Sequence, residues 1–137
     1  MNNKRFILDH QVTEAELDFL GHVNNKAYLG WMEMVAWKHA RSVGISREMQ
    51  ESLNRILAVY ENHMQYHASC YLGDKLEIIT WIGERQGCCK RLRHFEIIRQ
   101  SDNKTVFTAT ATYVCIDLKT HQPKRIPNEF IDSYLST

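Results

Sequence analysis

Apolar and polar positions change period along this chain, and each change marks an element. Over residues 6–12 Phe6, Ile7, Leu8 and Val12 mix with polar residues in a loose alternation that predicts a first strand. From Asn24 or Asn25 to Val43 the spacing becomes helical. Tyr28, Trp31, Met32, Val35, Trp37 and Ala40, with their apolar neighbours, cover most of the circumference, leaving Lys26, Gly30, Glu33 and Arg41 as a narrow polar stripe. A helix of that pattern is expected to be buried on most sides. Asparagine is a favoured N-cap because its side-chain oxygen accepts a bond from a first-turn amide, and Gly44 supplies the C-terminal stop.

A polar stretch around 46–54 reads as a mobile loop. Four strand-like runs follow: 56–71, bent or bulged near the polar residues 61–63, then 75–82, 90–99 and 105–117. Gly73-Asp74, Gly87 and Ser101-Asp102-Asn103 offer turn chemistry, so neighbouring runs are expected to pair antiparallel. In the last run Phe107, Ala109, Ala111, Tyr113 and Cys115 share one face, and the two alanines let a helix approach closely. A short terminal helix starts at Pro127 and carries Phe130, Ile131, Tyr134 and Leu135 at helical spacing. The simplest α+β fold that buries the long helix wraps it in one curved antiparallel sheet of about five strands. The competing architecture, a cone-shaped sheet around several N-terminal helices, has only one convincing helix to draw on.

The 137 residues match one domain at roughly 100–200 residues each, and 44% hydrophobic with 24% charged residues excludes disorder. A net charge of +1 provides no broad basic field for nucleic acid, so any anion site must be local. No apolar run approaches the ~20 residues of a membrane span, and the start, MNNKRFILDH, has no signal-peptide core. The default expectation is a cytoplasmic protein. Cys70, Cys88, Cys89 and Cys115 show no C-x-x-C spacing and read as reduced thiols. The seven histidines contain no H-E-x-x-H, so neither a metal nor a cofactor is expected.

Chemistry concentrates in residues 16–28, which bring a carboxylate, a turn glycine, a histidine and a helix start together. Unpaired amides and the positive end of the helix dipole suit a carbonyl oxygen that is gaining negative charge. Asp18 then stands ready to activate water or to attack a carbonyl itself. The same residues also fit a purely geometric reading, with Gly21 turning the chain, Asn24 or Asn25 capping the helix, and Asp18 and His22 bonding loop backbone.

The run Asp18-Phe-Leu-Gly21-His22-Val-Asn24-Asn25-Lys-Ala-Tyr28 resembles the helix-entry motif of hotdog-fold acyl-CoA thioesterases, especially the 4-hydroxybenzoyl-CoA thioesterase-like branch. A similar Asp-x-x-Gly-His-Val-Asn-Asn form occurs in acyl-carrier-protein thioesterases. The stretch from Tyr66 to Leu76, with Gly73-Asp74-Lys75-Leu76 opening a strand, also fits the family pattern. The resemblance implies that Asp18 is the catalytic aspartate and that the backbone amide of Asn25 polarises the thioester carbonyl. Glu16 falls where relatives often carry another acid, and His22 is a secondary catalytic candidate. Leu20 stands where the carrier-protein branch has an asparagine, which argues against that branch's mechanism.

The implied reaction is hydrolysis of an acyl-CoA to free acid and CoA, through water activated by Asp18 or through an acyl-enzyme anhydride. Lys90, Arg91 and Arg93 form a cationic group suited to CoA phosphates, or else a solvated strand face. Tyr28, Trp31, Met32 and Met64 either line an acyl pocket or belong to the core. His63 either faces the site or sits in a strand bulge, and Glu33 is a reserve carboxylate. Hotdog relatives pair edge to edge with sites at the interface, so the resemblance implies a homodimer, often assembled into tetramers. The alternatives are a non-catalytic module binding an acyl-thioester or a protein, an acyl-carrier-protein thioesterase, and, last, a hotdog dehydratase or hydratase.

Overall fold

A computed structural model describes residues 4–135. The strands β1 (Phe6–Gln11), β2 (Arg55–Tyr66), β3 (Lys75–Gln86), β4 (Lys90–Arg99) and β5 (Lys104–Asp117) form one sheet in the order β1-β3-β4-β5-β2, antiparallel throughout. The long helix α1 (Asn25–Ser42) packs on its inner face, α2 (Arg47–Ser52) follows, and α3 (Asn128–Leu135) ends the described chain. This is the α+β hotdog arrangement, one long helix against a curved five-stranded sheet.

Cross-strand partners show which residues share the inner face. Ile78 pairs with Ile97 and Ile97 with Phe107, while Phe95 pairs with Ala109 and Arg93 with Ala111. Against these, α1 buries Tyr28, Trp31, Met32, Val35 and His39, one stripe at helical spacing. A second, smaller core of Ile45, Cys115, Ile126 and Phe130 lies toward the far end of α1. The polar stripe is wider than the pattern suggests, because Leu29 and Trp37 are exposed.

Three local expectations are corrected. The stretch around 46–54 is not a loop: Ser46 Oγ accepts from the Met49 amide at 3.1 Å, capping α2, and Met49 packs on the second core. The strand expected over 56–71 stops at Tyr66, and consecutive strands β2 and β3 do not pair. The connection 67–74 is too long for a tight hairpin. It straps back across the start of the chain through Val23 N–H to Cys70 O and Val12 N–H to Asp74 O, both 2.9 Å, and β2 pairs instead with β5. The irregularity in β2 lies between Val59 and Glu61, so Tyr60 is the extra residue.

Candidate active site

The loop from Leu17 to Val23 is folded back on itself, because these two residues bridge antiparallel. Gly21, at φ 84°, takes the left-handed conformation the turn requires. The Asp18 amide donates to His22 O at 2.7 Å, and Gly21 N–H donates to Asp18 O at 3.0 Å. Asp18 Oδ1 accepts from the amides of Leu20 (2.9 Å) and His22 (3.2 Å). One carboxylate oxygen therefore organises the loop, and Oδ2 has no hydrogen-bond partner among the described residues.

The loop delivers the chain into α1. Asn24 is the N-cap, and its Oδ1 accepts from Ala27 N–H at 2.8 Å. Its own amide donates to Glu16 O at 2.9 Å. The next amide, that of Asn25, is one of the helix-start donors with no acceptor inside the helix. It lies where the dipole is positive.

Asp18, His22, Val23, Asn25 and Tyr28 line one side of a pocket of about 330 Å³, and Tyr66, His67, Ala68 and Ser69 line the other. Tyr28 stacks on Phe107 at 4.9 Å between ring centres. Burial pushes its phenol well above the usual range, so it stays a neutral hydroxyl. The His22 ring stands edge-on to Tyr71 at 5.2 Å. Tyr66, His67 and Ser69 were missed by sequence reasoning. The available signal was their place at the start of the Tyr66-to-Leu76 stretch that fits the family pattern, where β2 ends.

Other candidates lie elsewhere. Glu16 is fully committed: His10 Nε2 lies 2.9 Å from Oε2, Trp31 Nε1 donates to Oε2 at 2.8 Å, and Thr13 N–H donates to Oε1 at 2.9 Å. Burial alone would raise its pKa, but these hydrogen bonds outweigh that and hold the carboxyl below its usual range. Trp31 and Met32 belong to the core, and Met64 packs against it. His63 pairs with Thr110, which pairs with His94, on the face of the sheet opposite Phe107 and Ala109, and it does not border the pocket.

The cationic trio is not one cluster. Lys90 and Arg91 are neighbours in a strand and point to opposite faces, with Lys90 Nζ 3.9 Å from the centre of the Tyr60 ring. Arg91 Nε donates to Gly83 O at 3.2 Å. Arg93 is corrected most: it is 4% exposed, because its inner-face position lies over the sheet's buried middle. It donates to His39 Nδ1 (2.9 Å), Thr80 Oγ1 (3.1 Å) and Tyr134 OH (2.9 Å). Glu33 is exposed, away from the Asp18 pocket.

A family model described as the thioesterase-like superfamily matches residues 2–133. The chain belongs to that superfamily. This thioesterase-like protein is a thioester hydrolase. It is 28% identical over 119 residues to the long-chain acyl-CoA thioesterase FadM of Escherichia coli strain K12, covering 87% of this chain and 89% of FadM. It is 24% identical over 122 residues to the putative acyl-CoA thioesterase YneP of Bacillus subtilis strain 168, covering 89% and 87%. Its fold superposes on Slr0204, a 1,4-dihydroxy-2-naphthoyl-CoA thioesterase from Synechocystis, with a TM-score of 0.86, 19% identity and 97% of both chains covered. No helix among the described residues of this thioesterase-like protein is long and apolar enough to cross a membrane.

Proposed function

We propose that this protein hydrolyses acyl-CoA thioesters, with Asp18 acting on the carbonyl and the Asn25 amide holding the oxyanion. One observation carries the assignment: a carboxylate oxygen and a helix-start amide, neither with a hydrogen-bond partner among the described residues, border the same pocket. The likeness to FadM and YneP supports an acyl-CoA as the substrate.

In the direct route Asp18 takes a proton from water as the hydroxyl attacks the thioester carbon. The carbonyl oxygen becomes an oxyanion on the Asn25 amide, in the positive field of α1. Collapse breaks the carbon–sulfur bond, and the proton held by Asp18 passes to the departing thiolate. In the covalent route Asp18 attacks the carbon itself, expels the thiolate and forms an anhydride that water then opens. His22, whose carbonyl accepts from the Asp18 amide and whose N–H donates to Asp18 Oδ1, positions the carboxylate in both.

Lys90, beside Tyr60 near the bulge in β2, is the member of the cationic trio we retain as a CoA phosphate contact. The assembly we propose is at least a homodimer. Among the described residues β2 is an edge strand, paired with β5 on one side, and the pocket wall continues from its end.

The test is steady-state hydrolysis of short, medium, long and aromatic acyl-CoAs by wild type and Asp18→Asn, followed by loss of thioester absorbance. Asparagine keeps Oδ1 for the Leu20 and His22 amides, so the loop is retained while turnover falls by about 10²–10⁴-fold. Near-wild-type turnover in the folded variant would reduce Asp18 to a loop-forming role.

A further inference from the structure

A second cavity, of about 250 Å³, lies between the later half of α1, the start of β2, β4 and α3. At about 1.5 Å per residue its Trp37 is about 18 Å along the helix axis from Asn25, so it is separate from the Asp18 pocket. Its walls are apolar, with Ala36, Ala40, Leu57, Val59, Ile126 and Phe130 among them, and the exposed Trp37 and Val59 stand at its rim. Two guanidinium side chains, Arg91 and Arg93, line it as well.

Arg93 is the unusual feature. Arginine keeps its charge in proteins, and a buried charge normally faces a counter-ion. Here the hydrogen bonds of Arg93 go to neutral groups, a histidine nitrogen and two hydroxyls, and no carboxylate lies within ion-pair distance among the described residues. Of five N–H donors, the two on Nη1 and one on Nη2 are used. Arg91 adds a second positive charge on the same strand face, and Glu33, the one acid bordering the cavity, is exposed and paired with neither arginine.

We propose that this cavity binds an aliphatic carboxylate, with the alkyl chain against Ala36, Ala40, Leu57 and Phe130 and the carboxylate received by Arg91 and Arg93. An apolar cavity that also holds a buried forked cation with no carboxylate partner among the described residues matches such an amphiphile in charge and character. The carboxylate arrives as a free acid, the product class of the proposed reaction. Only this source rests on the thioesterase reading.

The experiment titrates sodium decanoate, and separately decanol, into the intact protein by calorimetry. Decanoate is expected to bind one per chain, and decanol about tenfold or more weaker, the loss of a charge-assisted contact. Arg91→Gln should weaken decanoate by a similar factor and leave decanol unchanged, while Ala36→Phe should fill the cavity and abolish both. Asp18→Asn should bind decanoate like wild type, which separates this site from the thioester pocket. Decanol binding as tightly as decanoate, or decanoate binding that ignores both Arg91→Gln and Ala36→Phe, would overturn the proposal, as would no binding by the folded wild type.

Discussion

Acidification from pH 7 to pH 5 should destabilise this protein chiefly through His39. The side chain is 6% exposed, stacked on Phe6 at 5.1 Å and edge-on to Tyr134 at 4.9 Å between ring centres. Its Nδ1 accepts from Arg93 Nη1 at 2.9 Å, so the nitrogen carries no proton and the ring is neutral. Burial, and then the adjacent Arg93 charge, push its pKa from 6.5 down to about 4. The unfolded chain therefore takes up this proton first. Stability is flat above the unfolded pKa, falls as pH drops through the window from 6.5 to about 4, and is flat again below.

A shift from 6.5 to about 4 corresponds to about 3.4 kcal/mol over the whole window, at 1.36 kcal/mol per unit. Between pH 7 and pH 5 the same two pKa values yield about 1.8 kcal/mol. Carboxylates act lower: Arg99 holds Asp102 at about 2, so its contribution is lost only as pH falls below the ordinary carboxylate range. The assay is urea unfolding at fixed protein concentration, at both pH values, for wild type and His39→Gln, whose amide oxygen can accept from Arg93 without titrating. Wild type should lose about 1.8 kcal/mol more than the variant between the two pH values. Equal losses would refute the claim that a buried, neutral His39 is the acid-sensitive group.

The other expectations are more local. Gly21→Ala forces a side chain into the left-handed turn that holds Asp18, so stability should drop by about 1–2 kcal/mol and kcat should fall with it, measured by thermal melting and hydrolysis side by side. Phe107→Ala empties the ring at the centre of the helix–sheet contact, and denaturant unfolding should report a loss of about 3–5 kcal/mol. Lys90→Ala should raise KM for an acyl-CoA with kcat unchanged, and the difference should shrink as salt is added; a salt-independent KM would place the phosphates elsewhere.

Local chemistry by itself determined much of this protein. Asn24 capping α1, the apolar stripe from Tyr28 to His39, the left-handed turn at Gly21 and the grouping of Asp18, His22 and Asn25 all depend on residues within a turn or two of one another. What spans the sheet needed the tertiary structure. Whether His63 faces the helix depends on a single extra residue: Leu57 and Val59 point inward, and regular alternation would bring in Glu61 and His63. The bulge at Tyr60 instead turns Asn62 and Met64 inward and sends His63 to the outer face. The same holds for the pocket wall of Tyr66, His67 and Ser69, which meets Asp18 because the 67–74 strap lies across the helix entry. In the sequence Arg91 and Arg93 read as one cationic group with Lys90, for CoA phosphates or as a solvated strand face, yet their alternate positions in β4 aim them under α1 and α3, where one of them is buried without a counter-ion among the described residues. Side-chain direction in a strand follows register, and register is set by partners far away along the chain. The sequence therefore specified the chemistry at the helix start, and the pairing of distant strands decided which charges and histidines share its side of the sheet.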